Sequence, residues 1–240
     1  MAAAFCRCLG LVAGLSASDA LAASAETPVA LELVIAVDTS ASVDAGEFEL
    51  QVKGLSQAFA SPEVIAAIES LAPRGMAVAL VQWSGSDSSA TVLPFHEVYD
   101  ARTAKSFGFL LGLMRRLDIS GSTAIGLAIE ISARLLATNA YDGERRIIDV
   151  SGDGRSNDPP PVETARDRAV AAGVTINGLA ILSDDPRLDV YYRRNVIGGQ
   201  DAFVEVARDF DSFAHAIRQK LIREIYPPLS LLPRSRFAGR

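Results

Sequence analysis

Leu31-Glu32-Leu33-Val34-Ile35-Ala36-Val37-Asp38-Thr39-Ser40-Ala41-Ser42 is the stretch on which the reading of this chain turns. The run Leu31–Val37 is almost wholly apolar and ends in Asp-Thr-Ser, the pattern of a strand buried on both faces of a parallel sheet. Downstream, Phe48, Val52, Leu55 and Phe59 recur at helical spacing, which predicts a helix from about Ala45 with Asp44 as its N-cap. A shorter helix is expected over Pro62–Ser70. Met76–Trp83 and Ala90–Phe95 read as two further strands, and the polar Ser84–Ser89 stretch between them suits a hairpin turn. So short a connection implies antiparallel pairing, because a parallel crossover needs about a dozen residues or more.

The remainder of the chain repeats the alternation. Helical patterns cover Thr103–Leu117, Thr123–Ala137, Pro161–Ala172, Leu188–Asn195 and Phe210–Ile225, and strand patterns cover Arg146–Val150, Val174–Leu182 and Ala202–Glu205. Strands alternating with helices define an α/β class with a mostly parallel, doubly wound sheet covered by helices on both faces. A length of 240 residues with 49% hydrophobic content suits one substantial core, so a single domain is expected. There is no internal repeat and no low-complexity tract.

The chain's start reads as a targeting segment. The apolar stretch from Cys8 to Ala17 follows Arg7, is shorter than the roughly 20 residues that span a bilayer, and runs into Ala20-Leu21-Ala22. Residues 1–22 are therefore expected to be a secretory signal, with an uncleaved N-terminal anchor as the alternative, 23–30 a short linker, 31–226 the folded domain, and 227–240 a tail carrying Pro227, Pro228, Pro233, Arg234, Arg236 and Arg240. Cys6 and Cys8 would leave with the signal, so the mature protein would rely on packing rather than cross-links. The implied location is periplasmic or secreted. No later segment is apolar enough to insert in a membrane, and a monomer is expected.

Charge narrows the partners. The signal carries one basic and one acidic residue, Arg7 and Asp19, so the net charge of −6 is the same with or without it. An acidic balance argues against nucleic acid and anionic lipid, which need a basic face to displace counterions.

In an open parallel sheet, ligands gather beyond the carboxyl ends of the strands where the strand order reverses. Asp38, Ser40 and Ser42 follow the first strand, Ser151-Gly152-Asp153-Gly154 follows the fourth, and Gly121-Ser122-Thr123 precedes the long middle helix. Asp38, Ser40, Ser42, Thr123 and Asp153 make an all-oxygen set with no sulfur and no imidazole. Such a set suits a hard divalent cation, Mg2+ first, with Mn2+ and Ca2+ as neighbours in preference.

Together, these three motifs resemble the metal-ion-dependent adhesion site of von Willebrand A-type and integrin inserted domains, over about residues 31 to 225. The resemblance implies that Ser40, Ser42 and Thr123 touch the ion, that Asp38 and Asp153 act directly or through water, and that an acidic side chain of a protein partner completes its shell. It implies a six-stranded sheet ordered 3-2-1-4-5-6 with one antiparallel edge strand. It also implies a secreted, metal-dependent protein-binding module rather than an enzyme. One residue departs from the family pattern: Gly152 stands where a Thr usually precedes the second aspartate.

Two rival functions share some of these features. Haloacid dehalogenase-like magnesium phosphatases also place an Asp after the first strand, and Gly152-Asp153-Gly154 with Asn157-Asp158 resembles their last motif. They need a second acid two residues after the first, and Ser40 holds that position. A metal-free structural domain of the same fold is the other alternative.

Other chemistry lacks its parts. His96 and His215 are the only histidines, too few for a zinc centre, and there is neither a Gly-x-Ser-x-Gly elbow nor a Gly-x-x-x-x-Gly-Lys loop. Trp83 and Phe95 are expected to pack in the interior. Asp184, Asp185 and Asp189 are expected to cap a helix or to form an acidic rim. Asp149, inside an apolar strand, is expected to be a structural acid bonded to backbone or to Arg145 or Arg146.

Overall fold

A computed structural model describes residues 26–85, 89–117 and 121–226. The secretory signal and both cysteines, the centre of the hairpin turn, and the tail from 227 lie outside the described residues. Six strands form one sheet in the order β3-β2-β1-β4-β5-β6. They are β1 (Thr27–Asp38), β2 (Met76–Trp83), β3 (Ser89–Val98), β4 (Tyr141–Gly152), β5 (Thr175–Ile181) and β6 (Val204–Ala207). Every neighbouring pair is parallel except β2 with β3, the hairpin anticipated from its short connection.

Helices cover both faces. On one side α1 (Ala45–Ala60), α2 (Pro62–Glu69), α3 (Ala101–Gly112) and α7 (Phe213–Ile225) bury Leu31, Leu33, Ile35 and Val37 of β1. On the other, α4 (Ile125–Ala137), α5 (Val162–Ala171) and α6 (Leu188–Tyr191) close over Val34, Ala36, Ile148 and Val150. Alternate residues of β1 thus feed two cores, the reason its sequence is a continuous apolar run. Trp83 is fully buried and Phe95 packs against the second core, as expected of large aromatics.

Several boundaries differ from the sequence pattern, each for a physical reason. β1 begins at Thr27, inside the expected linker, because Thr27–Val29 pair with Tyr141–Gly143 at the start of β4. That pairing runs beyond the helices, so Thr27 and Pro28 stay exposed and show no apolar period. α3 ends at Gly112, short of Leu117, and Leu113 is left exposed. The expected Leu188–Asn195 helix holds α-geometry only to Tyr191 and then passes into a π turn over Tyr192–Val196, closed by Ile197 N–H donating to the Tyr192 carbonyl at 3.1 Å. Asp44 caps α1 as anticipated, in a reciprocal box with Glu47. No helix among the described residues is long and apolar enough to cross a membrane.

Candidate metal centre

β1 and β4 are adjacent, and the order reverses between them, so the loops after Asp38 and Gly152 open side by side at the carboxyl end. Oxygens from these loops meet in a chain of contacts. The Ser40 backbone N–H donates to Asp38 Oδ1 at 2.7 Å, Ser40 Oγ and Ser42 Oγ lie 3.2 Å apart, and Ser42 Oγ donates to Asp153 Oδ1 at 2.7 Å. Asp38, Ser40, Thr123 and Asp153 are buried, whereas Ser42 is exposed, which leaves the cluster one face toward solvent.

Thr123 arrives from the third loop. A Cβ on Gly154 would lie 3.7 Å from Thr123 Oγ1, so this hydroxyl stands against the residue that follows Asp153. All five residues singled out from the sequence therefore fall in one place.

The loops are held by neighbours that sequence reasoning did not assign. Arg116 donates to the Thr39 and Ser40 carbonyls at 3.0 and 3.1 Å, and Gln51 Nε2 donates to the Asp38 carbonyl at 3.3 Å. α4 has no side-chain cap of its own. Instead Asn157 Oδ1 accepts from Thr123 N–H at 2.8 Å, and Ser156 Oγ accepts from Ile125 N–H at 3.2 Å. Ser122 Oγ adds a 2.6 Å bond to Asp158 Oδ2. Asn157 and Asp158, which suggested a phosphatase motif, here bond to the loop that carries Thr123. A cap supplied by a distant loop leaves no local signature, which is why spacing rules missed it.

Electrostatics distinguish the cluster from an ordinary capped turn. Burial pushes the Asp38 carboxyl up to about 7; the Ser40 N–H opposes the shift, and the charge of Asp153 beside it adds to it. Burial likewise raises Asp153, against the Ser42 hydrogen bond and with Asp184 contributing. Among the described residues no Lys or Arg pairs with either carboxyl, and Asp38 Oδ2 is buried with no hydrogen-bond partner. An unsatisfied buried acceptor of this kind costs about 1–3 kcal/mol or more. A hard divalent cation would offset it, so the donor set fits such an ion.

Gly152 has a steric cause. A Cβ there would sit 2.7 Å from Asp38 Oδ2 and 3.0 Å from the Tyr192 hydroxyl, so a threonine does not fit this packing.

Asp149 has a different partner from the one expected. Its carboxylate meets Lys220 Nζ of α7 at 2.6 Å, both side chains being fully buried. Arg145 donates to the Glu224 and Ile225 carbonyls, and Arg146 to the Ala172 carbonyl. Arg145 is thus engaged by the carbonyls at the C-terminal end of α7, and Arg146 by the turn after α5, which leaves the buried carboxylate to Lys220. The later acids are engaged too: Asp185 accepts from Arg155 and from the Arg187 N–H that leads into α6, and Asp189 faces Arg193 at 3.7 Å.

Solved structures place this architecture in a class. The chain is similar to proximal thread matrix protein 1 from the mussel byssus, at 16% identity and a TM-score of 0.61, covering 82% of this chain and 48% of that one. It is similar to a von Willebrand factor type A protein from Catenulispora acidiphila, at 19% identity and 0.56, covering 82% and 43%. It is also similar to the pilus adhesin SpaC from Lactobacillus rhamnosus GG, at 13% and 0.56, covering 82% and 30%. Identities this low establish the fold, that of a von Willebrand A-type domain. The chain spans about half the length of the mussel protein and less than a third of the pilus adhesin. A further structure of the mussel protein is described as having a zinc-occupied MIDAS motif, the acronym for the metal-ion-dependent adhesion site. No curated protein sequence matches the chain. Within that fold class the chain belongs to the family DUF1194, described as a protein of unknown function, whose model matches residues 28–229.

Proposed function

We propose that this protein is an exported recognition module that binds a protein partner through a divalent cation. In this reading Asp38, Ser40, Ser42, Thr123 and Asp153 hold the ion, Mg2+ in preference to Mn2+ or Ca2+, and an acidic side chain of the partner completes its coordination. The observation that carries the proposal is the hydrogen-bonded convergence of Asp38, Ser40, Ser42 and Asp153 with Thr123 alongside, two buried carboxyls close together that no Lys or Arg among the described residues pairs with. Ser42 keeps one side of the cluster accessible to an approaching carboxylate. With neutral hydroxyls as the remaining donors, a divalent ion stays electrophilic enough to take an external acid.

Recognition is favoured over phosphoryl transfer because Ser40, where a phosphatase needs its second acid, is tied to Ser42 and has no useful acidity near neutral pH. The pilus adhesin and the metal-loaded mussel protein support the same reading by analogy of fold. Residues 1–22 are proposed as a cleaved secretory signal that delivers the domain to the periplasm or beyond, where it acts as a monomer.

The test is capture of partners from the exporting cell, with and without a chelator, by the natural chain and by Ser40→Ala/Ser42→Ala. A partner retained only by the natural chain in the presence of magnesium is the expected result. Capture indifferent to both chelation and the double substitution would remove the ion from recognition.

A further inference from the structure

Tyr192 has no role in the sequence reading, yet its ring is built into the sheet beside the cluster. It is the residue at which α6 passes into the π turn. Its side chain is fully buried in a slot that two glycines of adjacent strands leave open. A Cβ on Gly178 of β5 would lie 2.5 Å from Tyr192 Cδ1, and a Cβ on Gly152 of β4 would lie 3.0 Å from the Tyr192 hydroxyl. The same point at Gly152 is 2.7 Å from Asp38 Oδ2. Asp38 Oδ2 and the Tyr192 hydroxyl are both buried, and neither has a hydrogen-bond partner. Two orphaned polar atoms, one an acceptor and one a donor, thus border the same one-carbon gap.

We propose that Tyr192 is a positioning residue of the cation site, its hydroxyl closing on Asp38 Oδ2 across the gap at Gly152 when a cation is bound, in place of the hydroxyl that this position lacks. The inference rests on the metal-dependent reading above and adds a residue to it from a part of the chain the family motif does not include. A phenol has one proton to donate, and a carboxylate is its strongest acceptor in the interior. A phenol ordinarily titrates at about 10, so it is a donor throughout the neutral range. With Oδ1 already taken by the Ser40 N–H, a Tyr192 hydroxyl closing on Oδ2 would give the carboxylate plane one orientation and its remaining lone pairs a fixed direction for the ion. Gly152 and Tyr192 then form a matched pair: the glycine opens the space and the tyrosine fills its chemical role from the neighbouring element.

Tyr192→Phe keeps the ring and removes the hydroxyl alone. Titration calorimetry with Mg2+ is expected to show affinity weakened about 10-fold or more, the usual cost of deleting a group that orients a metal ligand. The melting temperature in chelator should not fall, which separates the effect from loss of packing. Addition of Mg2+ to the natural chain should also perturb the tyrosine ultraviolet difference spectrum, a signal that Tyr191→Phe keeps and Tyr192→Phe loses. Affinity equal to that of the natural chain in Tyr192→Phe, or a difference signal that survives that substitution, overturns the assignment and leaves the metal-dependent reading standing. A natural chain that binds neither Mg2+ nor Mn2+ removes the metal-dependent reading itself.

Discussion

Strand β4 and the loop that follows it bury two aspartates, Asp149 and Asp153, and the chain balances them in opposite ways. Asp149 meets an internal cation: Lys220 lies 2.6 Å from Asp149 Oδ1 and 2.5 Å from Glu224 Oε1, and Asn177 Nδ2 donates to the same Glu224 oxygen at 2.9 Å. One ammonium cannot balance two carboxylates. Burial accordingly pushes Glu224 up to about 7, Lys220 opposing it and Asp149 adding to it, so that a proton makes up the difference. At the strand's end Asp153 shares its surroundings with Asp38, and their partners are hydroxyls and backbone N–H groups. The closed cluster is neutralised from within and is structural. The open one has donors suited to a cation that comes and goes. The contrast separates a buried acid that shapes the fold from one available for binding, which burial alone does not do.

Removal of the internal cation should give the largest effect. Lys220→Met leaves Asp149 and Glu224 buried without their ammonium, and should cost about 3–5 kcal/mol of unfolding free energy by urea titration. A midpoint close to that of the natural chain would mean that the two clusters are not so different after all.

The open cluster should respond to an added ion instead. Free Mg2+ at about 100 times its dissociation constant should stabilise the natural chain by about 2.7 kcal/mol. Asp153→Asn should lose that response while being no less stable than the natural chain in chelator, since it removes a buried carboxyl that burial already disfavours. An Asp153→Asn variant that collapses in chelator would instead make Asp153 a structural acid like Asp149.

A smaller effect, on the order of 2 kcal/mol between about pH 5 and pH 7.5, should come from Glu224. Its carboxyl is raised from 4.5 in the unfolded chain to about 7 in the folded one, so the folded state holds the proton more tightly. The stability this contributes is complete below 4.5 and is lost as pH rises through about 7. In Glu224→Gln the decline over this range should flatten, measured by urea titration in metal-free buffer. An unchanged slope would show that the proton resides elsewhere.

Much of the architecture was legible because its signals are local. A continuous apolar run marks β1, a polar stretch too short for a crossover marks the β2–β3 hairpin, and Asp44 with Glu47 marks the start of α1. The five hydroxyl and carboxyl residues that meet at the carboxyl end of the sheet were legible as neighbours for the same reason, since each stands at a strand end or helix start. What escaped was long-range. Lys220 looks like one more charge on an amphipathic helix until α7 is laid across β4. Ser156 and Asn157 look like loop residues until they cap the start of α4. The π turn at Tyr192 inserts its extra residue within an otherwise helical pattern, and no period anticipates it.

By itself the sequence determined the order of strands and helices, the two-faced burial of β1, and the hydroxyl and carboxyl groups at the strand ends, because each follows from the periodicity and chemistry of a few consecutive residues. Only the tertiary structure decided which acid receives a lysine and which is left among hydroxyls, and why a side chain at Gly152 would be crowded. Those outcomes depend on how helices settle on the sheet, where contacts of a few ångströms join residues with no pattern in common.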